Sequence, residues 1–205
     1  MIDLYTADSS NGQRVAIMLE ECALPYRLSK LDLMAGEQRA PWFLAINPAG
    51  TIPAIVDHDA PSGAPLPLAQ SGAILLYLAM KPGRFFPLEP ALRAQAFGWL
   101  MHAVTDTAAA SMTVFLLQNF TPEKSDANVR WFEERVVKFL RVADGRLADH
   151  EYLAGDVSIA DFALYPLTAV RRPLIDRAGD LPHLTRWASA MAARPGVQCG
   201  MQAAA

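Results

Sequence analysis

Cysteine is scarce: Cys22 and Cys199 are the only two in 205 residues. They stand far apart and form no Cys-x-x-Cys pair. That excludes a disulfide-stapled secreted scaffold and leaves one bridge at most. An excess of one charge is also missing. Lys and Arg number 18 against 21 Asp and Glu, for a net charge of −3 with no basic block, so nucleic acid is not an expected partner. Long apolar runs are lacking too. The longest, near "AILLYLA", is too short to cross a bilayer. The start, "MIDLYTADSS", has neither the charged nor the apolar region of a signal peptide. There is no internal repeat. These absences point to a soluble, cytoplasmic protein with no membrane partner.

What is present is ample core material, 52% hydrophobic residues against 19% charged. That length and composition suffice for one large domain or two small ones. The first stretch alternates between two hydrophobic periods. "IDLYT" reads as a strand, and Val15, Met18, Leu19 and Cys22 then recur at helical spacing up to Pro25. "YRLSKLDL" reads as a strand and "EQRAPWFLAIN" as a helix. "NPAG" is a turn, "IPAIVD" a buried strand, Leu66 to Leu68 a short strand, and "QSGAILLYLAM" a helix. The order is β-α-β-α-β-β-α. Its first βαβ unit is expected to be parallel and right-handed, and its last two strands a hairpin.

"KPGRFFPLEP" breaks the pattern with proline and glycine. Beyond it the character is helical: one long helix over "ALRAQAFGWLMHAVTDTAAASMTVFLLQ", a second over "ANVRWFEERVVKFLRVADGRLADH", and shorter ones over "SIADFALYPLTAVRRPL" and "LPHLTRWASAMAARPG". The tail "QAAA" is expected to fray. The predicted division is an α/β domain over 1–80, a linker over 81–88 and an all-α domain over 89–205.

Three local patterns carry chemistry. "DSSNGQ" opens a helix, where serine and asparagine serve either as caps or as donors to an anion. Gln70 and Ser71 open another, with the same two readings. Ser158 and Asp161, three apart, form a capping-box pattern, for which a structural role is expected.

"SSNGQRV", "NPAGTIPAI", "LAQSGAILLYL" and "GDVSIADFALYP", in this order, resemble the cytosolic glutathione transferases. The likeness covers essentially the whole chain. The "NG" turn with Gln38, and "AQSGAILLYLA", are most similar to the bacterial nu-like, or Ure2-like, branch, which is associated with glutathione-dependent disulfide reduction. The resemblance implies a thioredoxin-like N-terminal domain, an all-α C-terminal domain, glutathione as substrate, no metal and a homodimer.

It also implies a cis bond before Pro53. Ile52 would then turn its backbone N–H and C=O toward the cysteinyl part of glutathione. Gln70 and Ser71 would hold the γ-glutamyl end. Gln38 would reach the glycyl end, with Trp42 and Arg39 nearby, the alternative for each being a solvated helix face. The thiol-activating group would come from Ser9, Asn11 or Ser10, with Ser9 and Asn11 ranked first. Tyr5 is a weaker candidate, and Cys22 is expected in the core. Arg130, or Arg135, would reach a ligand carboxylate, and His102, Thr105 and Met112 would line a second-substrate pocket. The expected activity is thiol transfer to an electrophile or disulfide reduction. Two alternatives stand beside it. One is a zeta-like maleylacetoacetate isomerase, set back because Asn11 replaces that class's cysteine. The other is a non-catalytic glutathione-binding regulatory module.

Overall fold

The computed structural model describes residues 1–205. The chain forms two compact units, one of residues 1–86 with 193–205 and one of 87–192. This differs from the predicted domains at the chain's end, because the last helix belongs with the first unit.

In the first unit, β1 (Ile2–Thr6), β2 (Tyr26–Lys30), β3 (Ala54–Asp57) and β4 (Leu66–Ala69) make one four-stranded sheet in the order β2-β1-β3-β4. The β1–β2 pair is parallel and joined through α1 (Ser10–Glu21), as expected for the βαβ unit. β1–β3 and β3–β4 are antiparallel, with Ala54 opposite both Tyr5 and Ala69. Alternation along β1 puts Leu4 on one face and Tyr5 on the other. Leu31, Phe43 and Ala54 form a small buried cluster with Tyr5, Ile46 and Ile52 around it.

The expected helix over "EQRAPWFLAIN" is shorter. Pro41 divides it into a 3-10 turn, Glu37–Arg39, and one turn of helix, α2 (Pro41–Leu44). α3 (Ser71–Met80) packs against α1. Its anchor is Asp57, fully buried on β3, which accepts from Tyr77 Oη at 2.5 Å and Lys81 Nζ at 2.9 Å.

The second unit is helical throughout: α4 (Pro90–Met101), α5 (Ala108–Asn119), α6 (Asp126–Ala148), α7 (Ile159–Val170), α8 (Arg172–Ala178) and α9 (Pro182–Ala192). The expected single helix at its start is continuous but contains a π-helical stretch, His102–Thr107. Pro90–Asn119 is 30 residues long with a mean hydropathy of 1.3 in its best window, so by length and composition it could cross a membrane. In the fold, Ala96, Leu100, Ala103, Ala110 and Val114 are buried in the helical unit. The capping box of α7 forms as predicted. Asp161 accepts from Ser158 N at 2.9 Å, Ser158 Oγ at 3.0 Å, Leu153 N at 3.1 Å and Trp187 Nε1 at 2.9 Å.

The tail does not fray. α10 (Pro195–Ala204) is a helix laid along α1, and Ala204 is buried. A side chain at Gly200 would meet the backbone of Ile17 at 2.4 Å, so only glycine permits this approach. Arg194 braces it with a two-pronged ion pair to Glu21 at 2.6 and 2.8 Å.

Candidate active site

The turn after β1 ends at Ser9, whose extended backbone and side chain cap α1. Its Oγ accepts from Gly12 N at 3.1 Å. Gly12 is required here, since a Cβ would lie 2.0 Å from Thr6 Oγ1. The helix start is therefore pressed onto the end of the strand. Asn11 stands in the first turn, and its Oδ1 accepts from Arg14 Nη1 at 2.5 Å. An arginine can only donate, so the amide oxygen faces inward and the Nδ2 hydrogens face away from it. The same Nη1 donates to Ser71 Oγ at 3.3 Å, 57 residues along the chain. One nitrogen thus touches the first turns of both α1 and α3, and the two helix starts meet there. Sequence reasoning missed Arg14. It is 1% exposed, and burial lowers its pKa to about 10, which leaves it charged at neutral pH.

α3 begins without a side-chain cap. Gln70 holds φ +71°, an uncommon backbone for a residue with a Cβ. The N–H groups of the first turn after it have no partner inside the helix. Strain of this kind persists where the surroundings impose it, and such sites are enriched in function.

The Ile52–Pro53 bond is cis. The ladder stops at Ala54, which leaves the N–H and C=O of Ile52 outside it. Asn47, nearly buried, ties the preceding turn, with Nδ2 donating to Thr51 O at 2.7 Å and Oδ1 accepting from Ala49 N at 3.2 Å. Gly50 holds φ +61°, where a side chain is strained, and a Cβ there would press on the Gln38 carbonyl at 3.2 Å. Gln38 donates Nε2 to Leu33 O at 3.3 Å, while its Oε1 is enclosed with no donor. Trp42 is half exposed and leans on the Tyr5 ring, 5.7 Å between centroids, whereas Arg39 is exposed.

The first unit therefore gathers Asn11 and Ser71 around Arg14, with Ser9 capping the same helix start, and sets Gln38 beside the turn that leads to Ile52. The cysteines take no part. Burial pushes the Cys22 thiol up to about 11, and Cys199 is exposed on α10 with no partner thiol. In the second unit, His102 lies at the start of the π-helical stretch, its Nε2 3.1 Å from Phe139 O and its Nδ1 3.6 Å from Asp106. Thr105 donates to Met101 O, Met112 and Arg130 are exposed, and Arg135 stacks over Phe139 at 5.1 Å.

Two family profiles match the chain. "Glutathione S-transferase, N-terminal domain" covers residues 8–81, and "Glutathione S-transferase, C-terminal domain" covers 104–195. The disulfide-bond oxidoreductase YfcG of Escherichia coli is 38% identical over 95% of this chain and 92% of its own length. A glutathione transferase from Pseudomonas putida, solved with one glutathione disulfide per subunit, superposes with a TM-score of 0.91 at 31% identity, covering 98% of this chain and 90% of that one. One from Burkholderia graminis, holding two glutathione molecules per subunit, gives 0.92 at 33% identity over 98% and 87%.

Proposed function

This chain belongs to the glutathione S-transferase family, and from that premise we propose that it binds glutathione on its first unit and uses the glutathione thiol to reduce disulfides. The observation that carries the disulfide reading is the likeness to YfcG along nearly the whole chain. The neighbours solved with glutathione disulfide, or with two glutathiones per subunit, support it.

The γ-glutamyl carboxylate sits at the open start of α3, against Ser71 and the Gln70 backbone, where the helix dipole favours an anion. Ile52 pairs its free N–H and C=O with the cysteinyl backbone, as an added strand would. Gln38 lies toward the glycyl end. The sulfur lies at the start of α1. Asn11 Nδ2, turned away from Arg14, is the leading donor to the thiolate, with the Ser9 and Ser10 hydroxyls beside it. A free thiol has a pKa of about 8.5, and each unit it is lowered favours the thiolate by about 1.4 kcal/mol.

The glutathione thiolate attacks a substrate disulfide. One sulfur of the substrate leaves as a thiolate and the other forms a mixed disulfide with glutathione. A second glutathione thiolate then attacks the glutathione sulfur, releasing the second substrate thiol and glutathione disulfide. Every redox sulfur is glutathione's or the substrate's, consistent with a buried Cys22 and no cysteine pair. His102, Thr105, Met112 and Arg130 of the second unit are the proposed contacts for the second substrate. The exposed Leu92, Phe97, Phe115 and Leu116 of α4 and α5 support a homodimer.

Paired assays with hydroxyethyl disulfide and an aryl halide, both with glutathione, test this reading. Faster turnover of the disulfide is expected. Glutathione binding with neither activity would leave only a binding module.

A further inference from the structure

An arginine is costly to bury, because it gives up strong hydration. A leucine or methionine at position 14 would fill the same core space with no such cost. Yet Arg14 is held at 1% exposure under the two helix starts, spending one nitrogen on Asn11 Oδ1 and Ser71 Oγ. Both acceptors belong to the proposed glutathione site, which is where the cost can be returned.

We propose that Arg14 is the positioning residue of the thiol site, fixing the Asn11 amide with its N–H groups toward the glutathione sulfur and adding a buried positive charge beneath it. This rests on the glutathione reading above. Arg14 does not touch the substrate; it acts through Asn11 and Ser71. The amide of a free asparagine turns either way. Paired with a donor-only group it keeps one orientation, so its donors are in place before ligand arrives. The charge then favours thiolate over thiol in a site of low dielectric.

The other charged groups nearby are engaged or remote. Asp8 in the turn is exposed. Glu20 and Glu21 lie at the far end of α1, on Tyr26 and on Arg194 just before α10. Tyr77 and Lys81 on α3 are taken by Asp57 of the sheet, and Asp3 by Arg27 and His58. None of them replaces Arg14.

The test is a pH titration of the ultraviolet thiolate absorbance of bound glutathione in the parent, Arg14→Met and Asn11→Asp. Binding of S-methylglutathione, which has no ionising thiol, is measured alongside. Arg14→Met is expected to raise the bound thiol's pKa by about one unit, roughly tenfold less thiolate below it, while S-methylglutathione affinity stays within about fivefold. Asn11→Asp keeps the Arg14 contact, so the fold is secured. It cancels the charge and removes the amide donors, and should raise the thiol pKa at least as far with an undiminished melting temperature. A thiol that titrates in Asn11→Asp as in the parent overturns the proposal, whether or not Arg14→Met folds. Failure of the parent to bind S-methylglutathione overturns the glutathione reading beneath it. Binding with an unmoved titration overturns the arginine's role alone.

Discussion

Ser9 and Asn11 are two residues apart and do different work. Ser9 Oγ accepts from Gly12 N and so caps α1, and Asn11 Oδ1 accepts from Arg14 with both amide hydrogens turned away from it. Ser9→Ala should therefore cost about 1 kcal/mol of stability, read as a lower denaturant midpoint, with a modest effect on rate. Asn11→Ala should lower disulfide turnover roughly tenfold to a hundredfold with little change in that midpoint. Equal losses of rate in the two variants would contradict the division of labour. At this scale the sequence was only half legible. Caps and turn residues are written in local residue types, so Ser9, Ser71 and Asn47 stand out. The burial of Arg14 depends on a serine 57 positions away, and the left-handed backbone of Gln70 is imposed by its surroundings. Neither leaves a local mark.

Among the elements, strands and long helices follow their hydrophobic periods, so β1 to β4, α1 and α3 were legible. The exceptions have physical causes. The tail "QAAA" reads as prone to fray because it holds no large apolar residue, yet it ends α10. Small residues are what allow α10 to lie so close to α1. Gly200→Ala should lift α10 from Ile17 and cost about 2 kcal/mol, measured by urea unfolding. In α7 the buried carboxylate of Asp161 serves four donors at once. Asp161→Ala leaves Leu153 N, Ser158 N and Trp187 Nε1 without an acceptor, and a loss of at least about 3 kcal/mol is expected. Ser158→Ala, which removes the cap and one of the four donors to Asp161, should cost about 1 kcal/mol. The π-helical stretch at His102–Thr107 has no periodic signature, since one inserted residue shifts the phase without breaking the helix.

Across the whole molecule, stability should fall on the acid side. Burial alone would raise the Asp57 pKa, but hydrogen bonds from Tyr77 and Lys81 and the Asp59 N–H outweigh it, and the net shift is downward. Asp3 is lowered as well, chiefly by its hydrogen bond to Arg27. A carboxyl with a depressed folded pKa contributes fully above its unfolded value, about 3.9, and loses that contribution as pH drops through the folded value. Urea unfolding between pH 7 and pH 3 should show the loss below about pH 4, and Asp57→Asn should flatten it. An unchanged slope in that variant would mean that the Asp57 cluster does not link protonation to folding.

The pairing of α10 with α1 also sets an order of events during synthesis. Residues 87–192 must leave the ribosome before α1 can meet the helix that covers it. Residues 22–194 separate the two helices, and at roughly 5–20 residues per second that is a wait of roughly 9–35 seconds. For that interval Ala16 and Ile17 lack their final cover. A nascent chain in this state offers a sticky helix to chaperones while its second unit is already free to fold.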